Sequence, residues 1–406
     1  MKIVTLGCSP YLLTSIGKIH SWIIQDLYFQ GHEIAILAHS HDTTYFVPEK
    51  VEDKTVFCYS FDDHKVPIFP YRKGGTPPEK TEAVAIYELL EVLKPDLVIS
   101  IDDYSNMIFM QAVKMFLPDE FKWLWVLVNG DLPIQEDSRS VATYADSILC
   151  TNQFTFDHLK GFCDKELEWH YAGCDLDVFS AQSKKKKDLQ IFSSAKNTFK
   201  DCPASAIEIC KKSLEICPNL KLNLHTNSGD NGFYDLSVLQ GRFDSNDEFL
   251  RMPDEYVSIK DGYSAEKMNS LLSENHIFLS TSVASGASIG LFEALAAGCL
   301  PLINNQGCDR EIIKKLEKEI KMEGFFLVNG VNFMTSGEKN ITIPNGDEFI
   351  PKMRNLADLI KTKEYEGIQE KILNFSKGYH YLDFVKKVNE LINSVMNKKE
   401  KIFSLT

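Results

Sequence analysis

Residues 280–302 read STSVASGASIGLFEALAAGCLPL, a run of small and mostly uncharged residues with a single acid, Glu293, near its centre. The overlapping run HIFLSTS has the apolar character of a buried strand, and SIGLFEALAAG has the spacing of a helix. Ser288 is the predicted N-cap of that helix, and Gly298 lies past its end. The segment therefore predicts a strand, a turn at 285–288 and a helix, followed at Pro301 by a new strand.

The start of this predicted helix is a candidate anion site. Amides in the first helical turn have no partner within the helix, and the helix dipole favours negative charge there. Gly286 and Ala287 leave room for a ligand to approach the backbone, and Glu293 could accept hydrogen bonds from vicinal hydroxyls. Amides for a diphosphate and a carboxylate for a ribose together favour a nucleotide-sugar. The alternative is a tight helix-to-sheet contact with a surface glutamate.

The same alternation of short apolar runs and amphipathic stretches covers all 406 residues. It predicts an α/β protein with parallel sheets and helices on both faces, and the length suits two domains. The predicted strands are KIVTLG, EIAILA, TVFCYS, DLVISI, WLWVLV and SILCT in the first half, and LQIFSS, LKLNLHT, YVSIKDG, HIFLSTS, LPLINN and FFLVNG in the second. The predicted fold is two Rossmann-like, doubly wound domains that face each other across a cleft.

The predicted first domain covers residues 1–178 and the second covers residues 189–376. Between them, periodicity is lost around the run KKKKD, so residues 179–188 are a predicted linker. The four lysines of that run are predicted to be solvated, with a phosphate site as the alternative. Residues 377–406 are a predicted amphipathic helix that packs back on the first domain.

The charge distribution weighs against polyanionic partners. Residues 1–180 hold 14 Lys and Arg against 27 Asp and Glu; subtracting from the totals of 44 and 57 leaves 30 of each in the remainder. We therefore expect neither nucleic acid nor an anionic membrane as a partner. We also expect no signal peptide, no membrane span and ten reduced cysteines, as in a cytoplasmic protein.

The opening segment resembles the donor-site helix of retaining glycosyltransferases with the GT-B fold, written S-x-x-E-G-F-G-x-x-x-x-E-A-M-A-x-G-x-P-V. The matching residues are Ser282, Gly286, Glu293, Ala294, Ala296, Gly298 and Pro301. The family's second glutamate, which grips the donor ribose, falls on Glu293. Its first glutamate, which lies by the donor sugar, falls on Ser285, so that contact is not carried over.

Six further fragments resemble family motifs and occur in the same order as in the family. Together with the donor segment they give seven matching fragments across about 310 residues. They are TSIGKIHSWIIQDLYFQGHEI, LKPDLVISI, ADSILCTNQFTFDHL, AGCDLDVF, YVSIKDGYSAEKMNSLLSENHIFLSTS and GCDREII. In the first fragment Gly17 and Lys18 match, but the family's glycine pair has become Thr14-Ser15. In VLVNGDLP the histidine that family members often carry is missing, and Asn129 and Asp131 stand there.

The resemblance implies an enzyme that transfers a sugar from a nucleoside-diphosphate sugar to an acceptor hydroxyl, with retention, without metal and without a cofactor besides the donor. In FSSAKNTFKDCPASAIEICKK, Lys200 falls on the family's lysine, and Ala195 falls on its arginine with Lys196 beside it. We expect both lysines to neutralise the departing diphosphate; two solvated loop lysines are the alternative.

The remaining site expectations complete this picture. The predicted donor-binding residues are Lys196, Lys200, Gly262, Tyr263, Ser285, Gly286, Ala287, Ser288, Ile289 and Glu293. The predicted acceptor or phosphate loop contains Ser15, Gly17 and Lys18. The catalytic candidates are Asp131, Asp102 (or its neighbour Asp103) and Lys200; a helix cap or loop acid is the alternative reading of each aspartate.

Donor and acceptor identities stay open. A UDP-sugar is the expected donor only because uridine is the commonest base in the family. The acceptor would be a glycan, a lipid-linked sugar, a protein or a small molecule, and the oligomeric state is unknown. Two other functions fit the residues: a non-catalytic nucleotide-sugar or glycan-binding protein of the same fold, and a sugar-nucleotide epimerase.

Overall fold

The computed structural model describes residues 1–39, 47–51, 54–71, 78–104, 107–130, 136–182, 185, 188–226, 233–244, 249–252, 263–334 and 340–403. The chain divides into two compact units. One comprises residues 1–129, 134–171 and 382–406, and the other comprises residues 130–133 and 172–381.

The first unit is built on a nine-stranded sheet with the order β3-β4-β5-β2-β1-β6-β7-β8-β9. Its strands are β1 (Lys2–Cys8), β2 (Glu33–His39), β3 (Val47–Val51), β4 (Lys54–Phe61), β5 (His64–Pro70), β6 (Leu97–Asp102), β7 (Lys122–Leu127), β8 (Ser147–Cys150) and β9 (Glu166–Trp169). Its first helices are α1 (Ser15–Phe29), α2 (Pro78–Leu93), α3 (Ile108–Phe116), α4 (Glu136–Ala142) and α5 (Gln153–Leu159). The strands from β2 through β1 and β6 to β9 are parallel.

One predicted strand of this half takes a different role. TVFCYS forms β4, which pairs antiparallel with β3 and β5 and so is not a member of the parallel array. The reason is the connection: only Asp62 and Asp63 separate β4 from β5, and two residues allow a hairpin but no crossover helix. Asp62 has a φ of 47°, as such a tight turn requires.

The parallel strands form the core of the first unit. Every residue of β6 is buried, in keeping with the continuous apolar runs of strands covered on both faces. Trp123 and Trp125 stack with ring centroids 5.9 Å apart. The indole N–H of Trp123 donates to the Ser100 hydroxyl at 2.8 Å, so the buried polar atom is satisfied.

The second unit has a six-stranded parallel sheet with the order β12-β11-β10-β13-β14-β15. Its strands are β10 (Gln190–Ser194), β11 (Lys221–His225), β12 (Leu250–Arg251), β13 (Ile277–Ser280), β14 (Leu300–Asn304) and β15 (Leu327–Val328), with an antiparallel pair β16 (Val331–Met334) and β17 (Asn340–Ile343). Its helices are α6 (Pro203–Ser213), α7 (Leu236–Phe243), α8 (Ala265–Glu274), α9 (Ile289–Ala296), α10 (Gly307–Ile320), α11 (Gly346–Leu359) and α12 (Glu364–Ser376). The predicted strand YVSIKDG, residues 256–262, lies wholly outside the described residues.

The strand order of the second unit reverses between β10 and β13. From β10 the chain first proceeds to β11 and β12, then returns to add β13 on the other side. Such a reversal leaves a crevice at the carboxyl ends of the two central strands, where doubly wound folds bind ligands. The segments that follow β10 and β13 carry the predicted lysines and the 285–288 turn.

The last helix, α13 (Tyr381–Phe403), lies with the first unit from Leu382 onward. The Asn389 amide donates to the Asp26 carboxylate at 2.8 Å, and the Ser394 hydroxyl donates to Glu166 at 2.7 Å. None of the helices in the described part of the chain has both the length and the apolar composition needed to cross a membrane.

The prediction of solvated linker lysines is wrong for Lys185, the one lysine of that run that the structure describes. Its ammonium donates to the carbonyl oxygens of Asn275 and Ala297, which follow α8 and α9, the latter at 3.3 Å. Helix ends leave such carbonyls without partners, so a lysine there is stabilising. Burial lowers the pKa of Lys185.

Candidate functional site

The turn before α9 leads into the helix through a residue with a left-handed backbone. Ser288 adopts the left-handed conformation, with a φ of 55°, and α9 begins at Ile289. The predicted boundary is therefore confirmed, but the predicted capping role of the Ser288 side chain is wrong. The Ser288 side chain makes no capping hydrogen bond to the first turn of α9, because its hydroxyl donates to another residue. A helix start of this kind presents its amides to an anion.

The Ser288 hydroxyl donates to Asp309, a buried carboxylate in the first turn of α10. Ser285 Oγ donates to the same Oδ1 atom at 2.9 Å and lies 3.0 Å from Ser288 Oγ. Ser280 Oγ, at the end of β13, donates to Oδ2 at 3.3 Å. Burial raises the pKa of Asp309, while the three hydroxyls favour its charged form. Sequence reasoning missed this residue.

Two glycines pack directly against the backbone of the turn. A Cβ atom added to Gly307, whose φ is 59°, would lie 2.8 Å from the nitrogen and the oxygen of Ser285. A Cβ atom on Gly130 would lie 2.8 Å from the nitrogen and the carbonyl carbon of Ser285. The N–H of Cys308 donates to the Ser285 carbonyl at 2.9 Å. Backbone contacts on both sides thus fix the position of Ser285.

Glu293 lies on the second turn of α9 and is only 5% exposed. The alternative of a surface glutamate is therefore wrong. Helix α9 is buried from Ile289 to Ala296 except at Gly290, so Glu293 belongs to the interior of the second unit. Glu293 lies one helical turn beyond residues 285–288, a distance that suits a group binding a ligand at the start of the helix.

The segment that carries Lys196 and Lys200 is attached to the loop before α9. Val283 N–H donates to the Lys200 carbonyl at 2.8 Å, and the Thr281 hydroxyl donates to the Cys202 carbonyl at 2.9 Å. Both lysine side chains are exposed. Burial raises the pKa of Asp201, whose Oδ2 accepts from the Thr198 hydroxyl at 3.0 Å, while Lys200 and Lys196 oppose that rise. The structure therefore brings the main chain of Lys200 beside the 281–283 loop, and Lys196 lies near enough to Asp201 to affect the pKa of that carboxylate.

Tyr263 begins the part of the chain just before α8 and stacks on His225, with ring centroids 5.0 Å apart. His225 in turn lies parallel to Phe192, with centroids 6.4 Å apart. Gly262 lies outside the described residues. Aromatic faces of this kind can carry a nucleobase. Sequence reasoning missed His225, although its place at the end of β11 is a signal that could have found it.

The predicted acceptor-side residues lie in the first unit. The Thr14 hydroxyl caps α1 by accepting from the Gly17 N–H at 3.2 Å, and Ser15 is the first helical residue. A Cβ atom on Gly17 would lie 2.0 Å from the Leu12 carbonyl oxygen, so tight packing requires a glycine there. Lys18 follows on α1 and is partly exposed.

Two of the three aspartates that were considered as catalytic candidates lie in the described part of the chain. Asp102 ends β6, is 1% exposed and accepts a hydrogen bond from the Asp103 N–H at 2.7 Å. Asp103 is partly buried. Asp131 lies outside the described residues, directly after Gly130.

In the described part of the chain, one group of side chains is close enough to share a metal ion: Asp175, Asp177 and His380, with ligand atoms within 4.8 Å of one another. His380 Nε2 lies 3.7 Å from Asp177 Oδ2, whose side chain is 87% exposed. Asp175 Oδ1 accepts from the Asp177 N–H at 3.0 Å. A turn and a surface ion pair account for this arrangement without a metal.

Comparison with known proteins gives matches at the level of structure. No protein-family model and no curated protein matches the chain. Sucrose-phosphate synthase from Thermosynechococcus elongatus superimposes with a TM-score of 0.73 at 10% identity, over 98% of this chain and 100% of that one. The catalytic domain of starch synthase IV from Arabidopsis thaliana, bound to ADP and acarbose, gives 0.62 at 10% identity, over 98% and 99%.

A third neighbour is the pneumococcal O-GlcNAc transferase GtfA in complex with UDP and GlcNAc, with a TM-score of 0.62 at 10% identity over 98% of this chain and 99% of that one. These structures are GT-B glycosyltransferases, and the predicted α/β fold class is confirmed. The protein therefore has the GT-B fold, built from two Rossmann-like units.

Proposed function

We propose that the protein is a glycosyltransferase that moves a sugar from a nucleoside-diphosphate sugar to an acceptor hydroxyl. One observation carries the proposal: the start of α9, the buried Glu293 and the segment of Lys196 and Lys200 all follow the carboxyl ends of the neighbouring strands β10 and β13. Amides and ammonium groups suit a diphosphate, and a buried carboxylate suits a ribose. The solved neighbours with bound ADP and UDP add support by analogy of fold.

In this proposal the diphosphate lies at residues 285–289, with Lys196 and Lys200 offsetting the charge that develops as its bond to the sugar breaks. Glu293 accepts from the ribose hydroxyls. The ring of Tyr263, stacked on His225, borders the base together with Gly262. Since these groups can neutralise the leaving group, we propose that the reaction needs no metal, and retention is the outcome that the family resemblance implies.

In this proposal Asp102 or Asp131 orients the acceptor hydroxyl, and Ser15, Gly17 and Lys18 border the acceptor. The departing phosphate can take the acceptor proton, so no protein base is required. We propose a cytoplasmic setting, because all ten cysteines are free thiols and reducing compartments keep them so.

Thermal-shift titration with UDP, GDP and ADP tests the donor half of the proposal. A ligand that binds only the folded state raises the melting temperature, so we expect one nucleotide to do so in the low-millimolar range or below. The nucleotide that binds then selects the donor for an activity assay with UDP-glucose, GDP-mannose or ADP-glucose. Release of the nucleoside diphosphate supports a transferase. Failure of all three nucleotides to bind would refute the proposed function.

A non-catalytic nucleotide-sugar-binding protein is the second candidate, and Ser285 is the observation that favours it. A serine stands where the resembling family places a glutamate, so one expected contact with the donor sugar is changed. Binding of a nucleotide-sugar without slow hydrolysis, and without transfer to any of a panel of glycan acceptors, would support this second function.

A further inference from the structure

The network around Asp309 fixes the direction of the hydrogen bonds that Ser285 can make. A serine hydroxyl has one proton to donate and lone pairs that accept, and an ionised carboxylate only accepts. The proton of Ser285 Oγ has two acceptors inside the network, Asp309 Oδ1 at 2.9 Å and Ser288 Oγ at 3.0 Å. The proton of Ser288 is directed to the same Asp309 oxygen. With its proton committed inward, the Ser285 oxygen is left as an acceptor.

The two serines differ in their access to a ligand. Ser288 is 7% exposed and Asp309 is 6% exposed, whereas Ser285 is partly exposed at the tip of the turn. The backbones of Gly130 and Gly307 pack against the main chain of Ser285. Of the two serines that donate to Asp309 Oδ1, Ser285 is therefore the more open to a ligand. A hydroxyl polarised by a buried carboxylate is a stronger acceptor than an isolated serine, because hydrogen bonds in a chain reinforce one another.

We propose that Asp309 is a positioning residue that makes Ser285 an obligate hydrogen-bond acceptor for a hydroxyl of the donor sugar. The inference rests on the proposed function and deepens it: the Ser285–Asp309 pair supplies acceptor capacity at the sugar, while the α9 amides and the lysines hold the diphosphate. Loss of Asp309 should therefore weaken binding of the sugar and leave binding of the nucleotide largely intact.

The chain offers sharp variants for this test. Asp309→Asn keeps the shape and removes the charge: in either orientation of its amide the N–H₂ meets one or two of the three serines, and its oxygen is a weaker acceptor than a carboxylate oxygen. Ser285→Ala removes the acceptor itself. Ser280→Ala is the matched control, since it removes a hydrogen bond to the other oxygen of the same carboxylate and leaves the turn untouched.

The measurement is isothermal titration calorimetry at pH 8, because burial raises the pKa of Asp309 and an alkaline pH favours its carboxylate form. Each protein is titrated with three matched pairs: UDP and UDP-glucose, GDP and GDP-mannose, ADP and ADP-glucose. For the pair that binds the wild type, the quantity compared is the ratio of the Kd of the nucleotide to the Kd of the nucleotide-sugar. We expect Asp309→Asn and Ser285→Ala to reduce this ratio by about fivefold or more, because a site built to accept from a hydroxyl loses its selectivity when the acceptor is lost. Ser280→Ala should leave it within about twofold.

Singly deoxyfluorinated analogues of the sugar that binds provide a second readout. Fluorine cannot donate, so one analogue should bind the wild type about tenfold more weakly than the parent sugar, and Ser285→Ala should not discriminate against it. If circular dichroism shows that Asp309→Asn does not fold, the result for Ser285→Ala alone decides whether the inference holds.

The outcomes separate the two proposals. If none of the six ligands binds the wild type, the proposed function fails. If the nucleotide binds but the wild-type ratio is near one, or the ratio is unchanged in Asp309→Asn and Ser285→Ala, the inference fails and the proposed function stands. Equal loss in Ser280→Ala, or loss of bare nucleotide binding in Asp309→Asn, would show that Asp309 only stabilises the turn and would also overturn the inference.

Discussion

The backbone N–H of Val283 donates a 2.8 Å hydrogen bond to the carbonyl oxygen of Lys200. The Ser282 hydroxyl reaches the same carbonyl at 3.3 Å. Both bonds are made by the main chain of Lys200, whose side chain is exposed. Because an alanine keeps the same carbonyl group, these two bonds can be retained when the charge of the lysine is removed.

Lys200→Ala should weaken nucleoside-diphosphate binding by about fivefold to twentyfold, because a point charge beside the diphosphate is lost. The melting temperature without ligand should stay within about 1 °C, as for most surface substitutions. Lys196→Ala should act in the same direction. Lys318→Ala, which removes an exposed lysine from α10 of the same unit, is the control for net charge. Calorimetry checks the affinities, and equal weakening in Lys318→Ala would remove Lys200 from the site.

Glu293→Gln should abolish selectivity for the ribose. Wild-type protein is expected to bind UDP, or whichever nucleotide raises its melting point, about tenfold more tightly than the 2′-deoxy form, because a buried carboxylate is a strong acceptor for a hydroxyl. The variant should bind both forms with similar affinity. Persistence of the full ribose preference in a folded Glu293→Gln protein would place the ribose elsewhere.

The sequence allowed most of the strands and helices to be predicted because parallel strands covered on both faces are continuous apolar runs. The prediction failed for β4, since its apolar run is equally compatible with a hairpin, and only the two-residue connection through Asp62 and Asp63 distinguishes the cases. Lys185 was mispredicted for a related reason. A run of lysines reads as solvated, and the carbonyl groups of Asn275 and Ala297 that it meets are about 90–110 residues further along the chain.

Sequence patterns indicated the candidate-site residues that are close together in the chain. They did not indicate the residue that tertiary packing brings to the turn. The 285–289 turn and Glu293 lie on one strand–helix unit, so their relation follows from spacing alone. Asp309 belongs to the next unit and looks like an ordinary acid in the first turn of a helix, which the dipole favours. Its contact with Ser285 depends on how α9 and α10 pack. Ser285 and Ser288 could have pointed to a nearby acceptor such as Asp309, since a hydroxyl in a buried turn needs a hydrogen-bond partner.

His276 should make the stability of the protein depend on pH below neutrality. Its Nδ1 accepts from the Gln190 N–H at 3.2 Å, and burial, assisted by Lys185, lowers its pKa from 6.5 to about 4. The unfolded chain then binds a proton that the folded one does not. The contribution is fully present above about pH 6.5 and is lost as the pH falls towards 4, with a maximum of about 3 kcal/mol.

Urea denaturation at pH 7.0, 5.5 and 4.5 checks this expectation. His276→Asn retains an acceptor for the Gln190 amide but cannot be protonated in this range, so its free energy of unfolding should fall less between pH 7.0 and 4.5 than that of the wild type. Parallel pH profiles for the two proteins would contradict the assignment to His276.

Glu317→Gln should destabilise the second unit by about 1–3 kcal/mol. The buried carboxylate of Glu317 accepts from Gly324 N–H at 2.9 Å through Oε2 and from Phe326 N–H at 2.6 Å through Oε1. A glutamine has only one accepting oxygen, so its amide N–H₂ would face a backbone donor. Glu319→Gln, two residues away and exposed, is the control and should be neutral. Urea denaturation measures both, and faster amide exchange at Gly324 should accompany the loss. A neutral Glu317→Gln would show that these amides have other partners.

Two Gly→Ala substitutions should change stability in opposite directions. Gly307 has a φ of 59°, and a Cβ atom there would lie 2.8 Å from backbone atoms of Ser285. Gly307→Ala should therefore cost about 2 kcal/mol or more, combining left-handed strain with a backbone clash.

Gly367 lies inside α12, is exposed and has nothing within 4 Å of an added Cβ atom. Gly367→Ala should stabilise by about 0.5–1 kcal/mol, since alanine loses less backbone entropy in a helix. Because Gly307 holds Ser285 in place, its variant should also lose nucleotide-sugar binding, whereas Gly367→Ala should bind like the wild type. Thermal denaturation and calorimetry on the two variants test this pair, and a Gly307→Ala protein with wild-type stability and affinity would show that the turn before α9 can yield without consequence.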